Sequence, residues 1–349
     1  MPTPYRFVTP VPKRAATGMV AAVYAASARE LGARFAPHLS PAPDLHAALW
    51  AVLRESLVAG TVPRARKEAV AAAVAVANRC PFCIDAHAAM LHATGEHDLA
   101  GAVLRGEAPD PLVAWARSTR SAEPDPWPFP ASQAPEFVGT ALANHFINRM
   151  VDALRPGSPL PGGALRSPSR RAAGLALART VKRSVTPGES LALLESGAVP
   201  VSVPVPAPAP VPAPAPVPVP VPAATAAWAG DGPVGVAWTA FARVAEAGGA
   251  LLGETARAVL HETVGRWRGE HPELGGWPGS VLGAVPEDER PGARLAVLAA
   301  LAPYRLTESA VAEWRSTVGP RGDEELVRVL GYGAFVAVER LAGRVVVAV

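Results

Sequence analysis

Apolar residues in the first two hundred positions recur at helical spacing, and no stretch alternates with the period of two that a half-buried strand requires. A first helix is expected from about Ala15 to Phe35, where Met19, Val23, Leu31 and Phe35 share a side. Pro41 and Pro43 interrupt it. Asp44 can cap a second helix, whose Leu45, Leu49, Leu53 and Leu57 recur every fourth residue up to Gly60. Pro63 opens a third, in which Ala69 to Ala77 is apolar on nearly every face; such a helix is buried all round, and Glu68 begins it. After a turn at Asn78-Arg79, Cys80 and Pro81 start a fourth helix, which Gly95 stops. Short helices near 96–106 and 110–121, a turn EPDPWPFP, a long amphipathic helix from about Pro135 to Leu154 (containing HFINRMVDAL) and helices over 168–183 and 186–196 complete this set. Helical periodicity returns over 233–249, 253–268, 289–303, 307–318 and 323–343. The expected fold class is all-α.

From Pro204 to Pro222 every second residue is proline, separated only by Val or Ala. Such a run forms neither helix nor sheet and favours polyproline II, a semi-rigid spacer of about 3.1 Å per residue. The expected organisation is an irregular arm over 1–14, a helical unit over 15–198, a Pro/Val/Ala-rich linker over 199–229 and a smaller all-α unit over 230–349. The second unit can be laid over the first. With Arg294 opposite Glu68, ARLAVLAALAPYRLTESAVAEW follows KEAVAAAVAVANRCPFCIDAHAAM as apolar helix, polar turn with Arg, and second helix. Leu306, Ser309 and Glu313 then stand opposite Cys80, Cys83 and His87, so a degenerate repeat would keep the helix pair and lose its chemistry.

Half of the 349 residues are hydrophobic and 18% are charged, a composition that folds rather than remaining a solvated tail. The net charge of +3 is slight and no basic stripe is interleaved with aromatics, so nucleic acid is not an expected partner. The N-terminal stretch lacks the apolar core of a secretory signal, and apolar runs outside the proline segment are too short to span a bilayer. A cytoplasmic protein without a membrane partner is the expectation. In that compartment a cysteine pair is reduced at rest, which points to catalysis or metal binding rather than a structural staple.

The two cysteines of the chain, Cys80 and Cys83, form a C-x-x-C, with His87 four residues beyond and Glu68 twelve before. On one helix Cys80, Cys83 and His87 share a face, and a helix N-terminus favours thiolate. If the third and fourth helices pack antiparallel, the Glu68 carboxylate can reach His87 and orient it. One thiolate then attacks a peroxide O–O bond, the other closes the resulting sulfenic acid to a disulfide, and an external dithiol reduces it. The competing reading of these four residues is a zinc shell, weakened by the remoteness of Glu68 and the lack of a second C-x-x-C. No cofactor or metal is expected. His145, Asn148 and Arg149 share a helix face and read as an ordinary polar or intersubunit surface; Asp85 reads as an exposed first-turn acid, and His92 and His97 as surface residues.

Glu, eleven residues, Cys-x-x-Cys, three residues, His resembles the core motif of the alkylhydroperoxidase AhpD family, within the carboxymuconolactone decarboxylase-like superfamily, and Glu68, Cys80, Cys83 and His87 match it one for one. The resemblance covers about residues 15–195. It implies a thiol-dependent peroxidase acting on small or organic hydroperoxides, with Cys83 peroxidatic, Cys80 resolving, and Glu68 and His87 relaying protons. It also implies a homo-oligomer reduced by a lipoyl-bearing or thioredoxin-like partner. The sequence departs from the family where characterised members often carry a histidine between the cysteines: here Pro81-Phe82 stands there, and Phe82 moves no proton. The alternatives are a lyase of the decarboxylase branch, which generally lacks the cysteine pair, and a non-enzymatic redox sensor or scaffold, suggested by the spacer and the extra helical unit.

Overall fold

The computed structural model describes residues 5–155, 167–195, 228–272, 279–317 and 321–347, and these contain helices and turns but no strand. The first set of helices comprises α1 (Gly18–Leu31), α2 (Pro43–Leu53), α3 (Arg64–Asn78), α4 (Pro81–Thr94), α5 (His97–Leu104), α6 (Pro111–Ser118), α7 (Ala134–Leu154), α8 (Ser167–Val181) and α9 (Ala192–Glu195). The second comprises α10 (Pro233–Ala247), α11 (Glu254–Arg266), α12 (Arg290–Leu301), α13 (Glu308–Thr317) and α14 (Asp323–Val347). The all-α expectation holds, while two ends differ from those expected: α1 stops at Leu31, before left-handed Gly32, rather than at Phe35, and Asp44 lies in the first turn of α2 without capping it. Gly95, at φ 99°, ends α4, and Pro81 stands in its first turn behind an extended Cys80. The polyproline stretch lies outside the described residues; Trp228 and Ala229, at its expected end, are described and buried.

The helices of both sets pack over one continuous apolar core. Its centre is aromatic: Phe146 of α7 meets Phe241 of α10 edge-on at 4.9 Å, and Phe241 meets Phe335 of α14 edge-on at 5.5 Å. Close approach needs glycine twice on α14. Gly331 faces Leu45 and Phe146, and at Gly333 the backbone oxygen of Ala296 occupies the space a Cβ would need. Polar ties join the same surfaces: Arg149 Nε donates to the Ala300 carbonyl at 2.8 Å, and Arg328 pairs with Asp44 at 2.8 Å.

This packing places α3 in the interior. Ala69 to Ala75 are all buried, as their apolar pattern requires, with α4, α6 and α7 lying against them. Arg79 closes the hairpin to α4 in the left-handed region at φ 59°. On its outer side α4 is clasped by α8, where Gly174 lies so close that an added Cβ would sit 2.6 Å from the Cβ of His92. Asp85 therefore is not an exposed acid: it is buried beneath α8 and paired with Arg170 at 2.6 Å. The same clasp buries His92, whose Nδ1 lies 2.9 Å from that of His97.

The α12–α13 hairpin repeats one feature of α3–α4. Glu68 meets His87 across the first hairpin at 2.8 Å, and Arg294 meets Glu313 across the second at 2.6 Å. These are the positions that the sequence overlay sets opposite each other.

Candidate active site

Glu68 is fully buried in the first turns of α3, and a carboxylate without water needs partners. It has two. Arg64, one turn earlier, donates Nε–H to Oε1 at 2.7 Å, and the Nδ1 of His87 lies 2.8 Å from Oε2. Burial pushes the Glu68 carboxyl up, but the Arg64 charge and the His87 hydrogen bond outweigh it and hold the pKa below the ordinary carboxylate value.

The second nitrogen of His87, Nε2, lies 2.8 Å from Oδ1 of Asn144 on α7, whose amide donates in turn to the Thr140 carbonyl at 2.8 Å. That second bond fixes which way Asn144 points. With oxygen acceptors at both nitrogens, the arrangement is fully satisfied by a protonated ring neutralised by Glu68. Both nitrogens are thus occupied, and neither is bonded to Cys83. Thiol and imidazole instead border one cavity of about 190 Å³, lined by Leu53, Phe82, Met90, Ile147 and Val151 among others.

The two cysteines are free thiols, buried in a small apolar cluster with Ala75 and Val151. Their sulfurs lie 2.6 Å apart, with Cys80 donating to Cys83. The helix N-terminus does not make them thiolates at rest: burial raises both, Cys80 more strongly. For Cys83 the Cys80 S–H and the Arg155 guanidinium oppose that rise. Arg155 rests 4.0 Å from the centre of the Phe82 ring, so Phe82, which carries no proton, holds a cation near the thiol. Of the two cysteines Cys83 borders the cavity.

Two further residues come from α7 and were missed in the sequence. Asn144, Ile147 and Val151 form the cavity stripe of that helix, and Arg155, the residue that follows it, lines the same cavity. The stripe read from the sequence (His145, Asn148, Arg149) is one residue further along, about 100° around the helix, and is buried rather than a surface. His145 meets Asn78 and Thr119 there, at 3.0 and 2.9 Å. Burial and the charges of Arg149 and Arg120 push its pKa well below the usual imidazole value. The second missed residue is Asp152, close to Cys80, Arg149 and Arg120; burial raises its carboxyl to about 7 although those three neighbours favour its charged form. An asparagine and an aspartate in a polar helix segment carry no spacing signal; only the rotation of α7 against α4 selects them. Among the described residues no cluster of three or more His, Cys, Asp and Glu side chains is arranged to hold a metal ion.

The family model described as the carboxymuconolactone decarboxylase family matches residues 43–117, which contain the whole Glu68–His87 motif. Over 345 residues the chain is 39% identical to a Mycobacterium tuberculosis (strain ATCC 25618 / H37Rv) protein named alkyl hydroperoxide reductase Rv2159c, spanning 96% of this chain and 93% of that one. The chain belongs to the AhpD-like, carboxymuconolactone decarboxylase family. No solved structure gives a significant match. Asn144 and Asp152 lie outside the segment matched by the family model, whereas the relative's similarity extends over nearly the whole chain, second helical set included. No helix among the described residues is long and apolar enough to cross a membrane.

The Glu68 carboxylate sets a stability prediction for this AhpD-like site. Arg64→Leu leaves it buried against His87 alone and is expected to cost about 3 kcal/mol in equilibrium denaturation, the scale for breaking a buried ion pair. The double variant Arg64→Leu/Glu68→Leu should recover part of that loss.

Proposed function

We propose that the protein is a thiol-dependent hydroperoxide reductase cycling through Cys80 and Cys83. The observation that carries this reading is the placement of Cys83 on the wall of an apolar cavity that His87, backed by Glu68, also borders. In the first half-reaction the Cys83 sulfur attacks the terminal oxygen of ROOH, the O–O bond breaks, and Cys83–SH plus ROOH become Cys83–SOH plus ROH. The leaving alkoxide takes a proton from the His87 imidazolium, and His87 regains one from the thiol. Because His87 does not touch Cys83 directly, that exchange passes through the bound peroxide. Glu68 holds the ring in place throughout.

In the second half-reaction Cys80 displaces hydroxide from Cys83–SOH, giving the disulfide and water. Cys80, whose thiol burial keeps protonated, must lose its proton to do so. Asp152 lies beside it and is the base for this step. An external dithiol, lipoyl-bearing or thioredoxin-like, then reduces the disulfide and restores both thiols. A homo-oligomer is part of this proposal, as in the family that the motif resembles.

A lyase reading is favoured by one feature, the Glu68–His87 pair, which can act as acid and base without any thiol. The two readings part on Cys83. With a dithiol present, wild type should consume alkyl hydroperoxide, and Cys83→Ser should lose that turnover by at least about a hundredfold; equal consumption by both would end the peroxidase reading.

The Asp152 role has a pH signature. Its carboxyl, raised to about 7, is protonated below that value and available as a base above it. In single-turnover experiments, disulfide closure should therefore speed up as pH rises through about 7. Asp152→Asn should slow closure by about a hundredfold, the usual scale for general-base assistance, and abolish that pH step while sulfenic acid accumulates.

A further inference from the structure

The cavity in front of Cys83 has polar wall groups that the cycle above does not use (Arg34, Arg64, Asn144, Arg155 and His38), and one of them stands out. His38 sits in a short 3-10 turn, Pro37–Leu39, entered through Ala36 in the left-handed region at φ 37°. It lines the same cavity as Cys83, Phe82 and His87, and it is buried to 2%. Neither ring nitrogen has a hydrogen-bond partner. Buried polar groups are nearly always paired, because water lost on burial has to be replaced. His46, the neighbouring buried histidine, follows that rule through a 2.8 Å bond from Nε2 to the Phe35 carbonyl. His38 does not.

We propose that His38 is the polar anchor of a substrate pocket, hydrogen-bonding the –OOH group of a small, compact alkyl hydroperoxide whose apolar tail fills the cavity in front of Cys83. The proposal rests on the peroxidase reading for the identity of the ligand. Three observations carry it. A hydroperoxide group offers one O–H donor and oxygen acceptors, and the nitrogen of a neutral imidazole that faces it can accept the O–H or, in the other tautomer, donate to an oxygen. His38 is kept neutral: burial, with the Arg155 and His46 charges, lowers its pKa to about 3. Arg155 rests 4.0 Å from the Phe82 ring and 5.4 Å from the Tyr5 ring, and Tyr5 lies 6.2 Å from the His38 ring, so imidazole and cation line the same cavity as the thiol.

The cavity also limits the tail. At about 190 Å³ it is smaller than the roughly 300–1,000 Å³ of sites for drug-sized ligands. Its walls are chiefly Leu, Phe, Met, Ile and Val, with Leu31, Phe35 and Leu57 at the His38 side of the chain. A branched short-chain hydroperoxide suits that space; a long acyl chain does not. Phe82 thus need not move a proton, because the histidine facing the substrate comes from the turn after α1 rather than from between the cysteines.

Two measurements on the full-length protein test this, with tert-butyl hydroperoxide as the probe. In Cys83→Ser, which cannot react, titration should move the His38 ring signals saturably in NMR spectra of histidine-labelled protein. In the wild-type background, His38→Leu should lower kcat/KM for this peroxide about tenfold, the scale of one hydrogen bond. Its melting temperature and the rate of Cys83 alkylation should not fall, since no protein bond is lost. Unmoved His38 signals in Cys83→Ser, or unchanged kcat/KM in His38→Leu, would overturn the proposal. Saturable His38 shifts in a protein that never turns over peroxide would instead sink the peroxidase reading and leave the binding site standing.

Discussion

The structure turns on a carboxylate placed where water cannot reach it. Glu68 lies in the first turns of α3, directly before the fully buried stretch Ala69–Ala75, against which α4, α6 and α7 pack. Its charge survives because Arg64 and His87 each take one carboxylate oxygen. His87 is thereby fixed with its second nitrogen toward α7, where Asn144 receives it. A loop-borne imidazole would have to be oriented by each substrate in turn. This one is pre-oriented by a bond that burial makes costly to break, and the thiol one turn earlier on α4 inherits the same precision.

The rest of the fold encloses the Glu68 end of that pair, while His87 borders the cavity. Helix α8 covers the outer face of α4, and α10 and α14 complete the core against which α2 and α7 rest. The second helical set thus does mechanical work for the first: Arg149, on the helix that carries Asn144 and Asp152, is tied to the Ala300 carbonyl across the boundary. The Arg294–Glu313 pair bridges the α12–α13 hairpin as Glu68–His87 bridges α3–α4.

Most of the helices were legible in the sequence because their ends are chemical: prolines at starts, glycines at stops, and an alanine-rich stretch that only a buried helix explains. The motif was legible because C-x-x-C followed by histidine four residues on is rare and rigid. What stayed hidden depends on rotation and contact rather than on residue type. Asn144 and His145 are adjacent, yet one faces His87 and the other faces Asn78 and Thr119. Asp85 looked exposed because the helix that covers it lies far along the chain. Asp152 and His38 share the same cause: a polar residue becomes chemically significant through what fails to solvate it, and burial by remote segments leaves no local pattern. The resting state of the thiols was misjudged for a related reason, since helix-terminus stabilisation is a local effect and desolvation is a global one.

The central claim, that Cys83 is the attacking sulfur and Cys80 the resolving one, is tested most directly by mass spectrometry of rapidly quenched protein after one equivalent of alkyl hydroperoxide. Wild type should lose two hydrogens through a Cys80–Cys83 disulfide, while Cys80→Ser should gain one oxygen on Cys83. Peroxide consumed with both cysteines still reduced, or oxygen found on Cys80 in Cys83→Ser at the same rate, would contradict it.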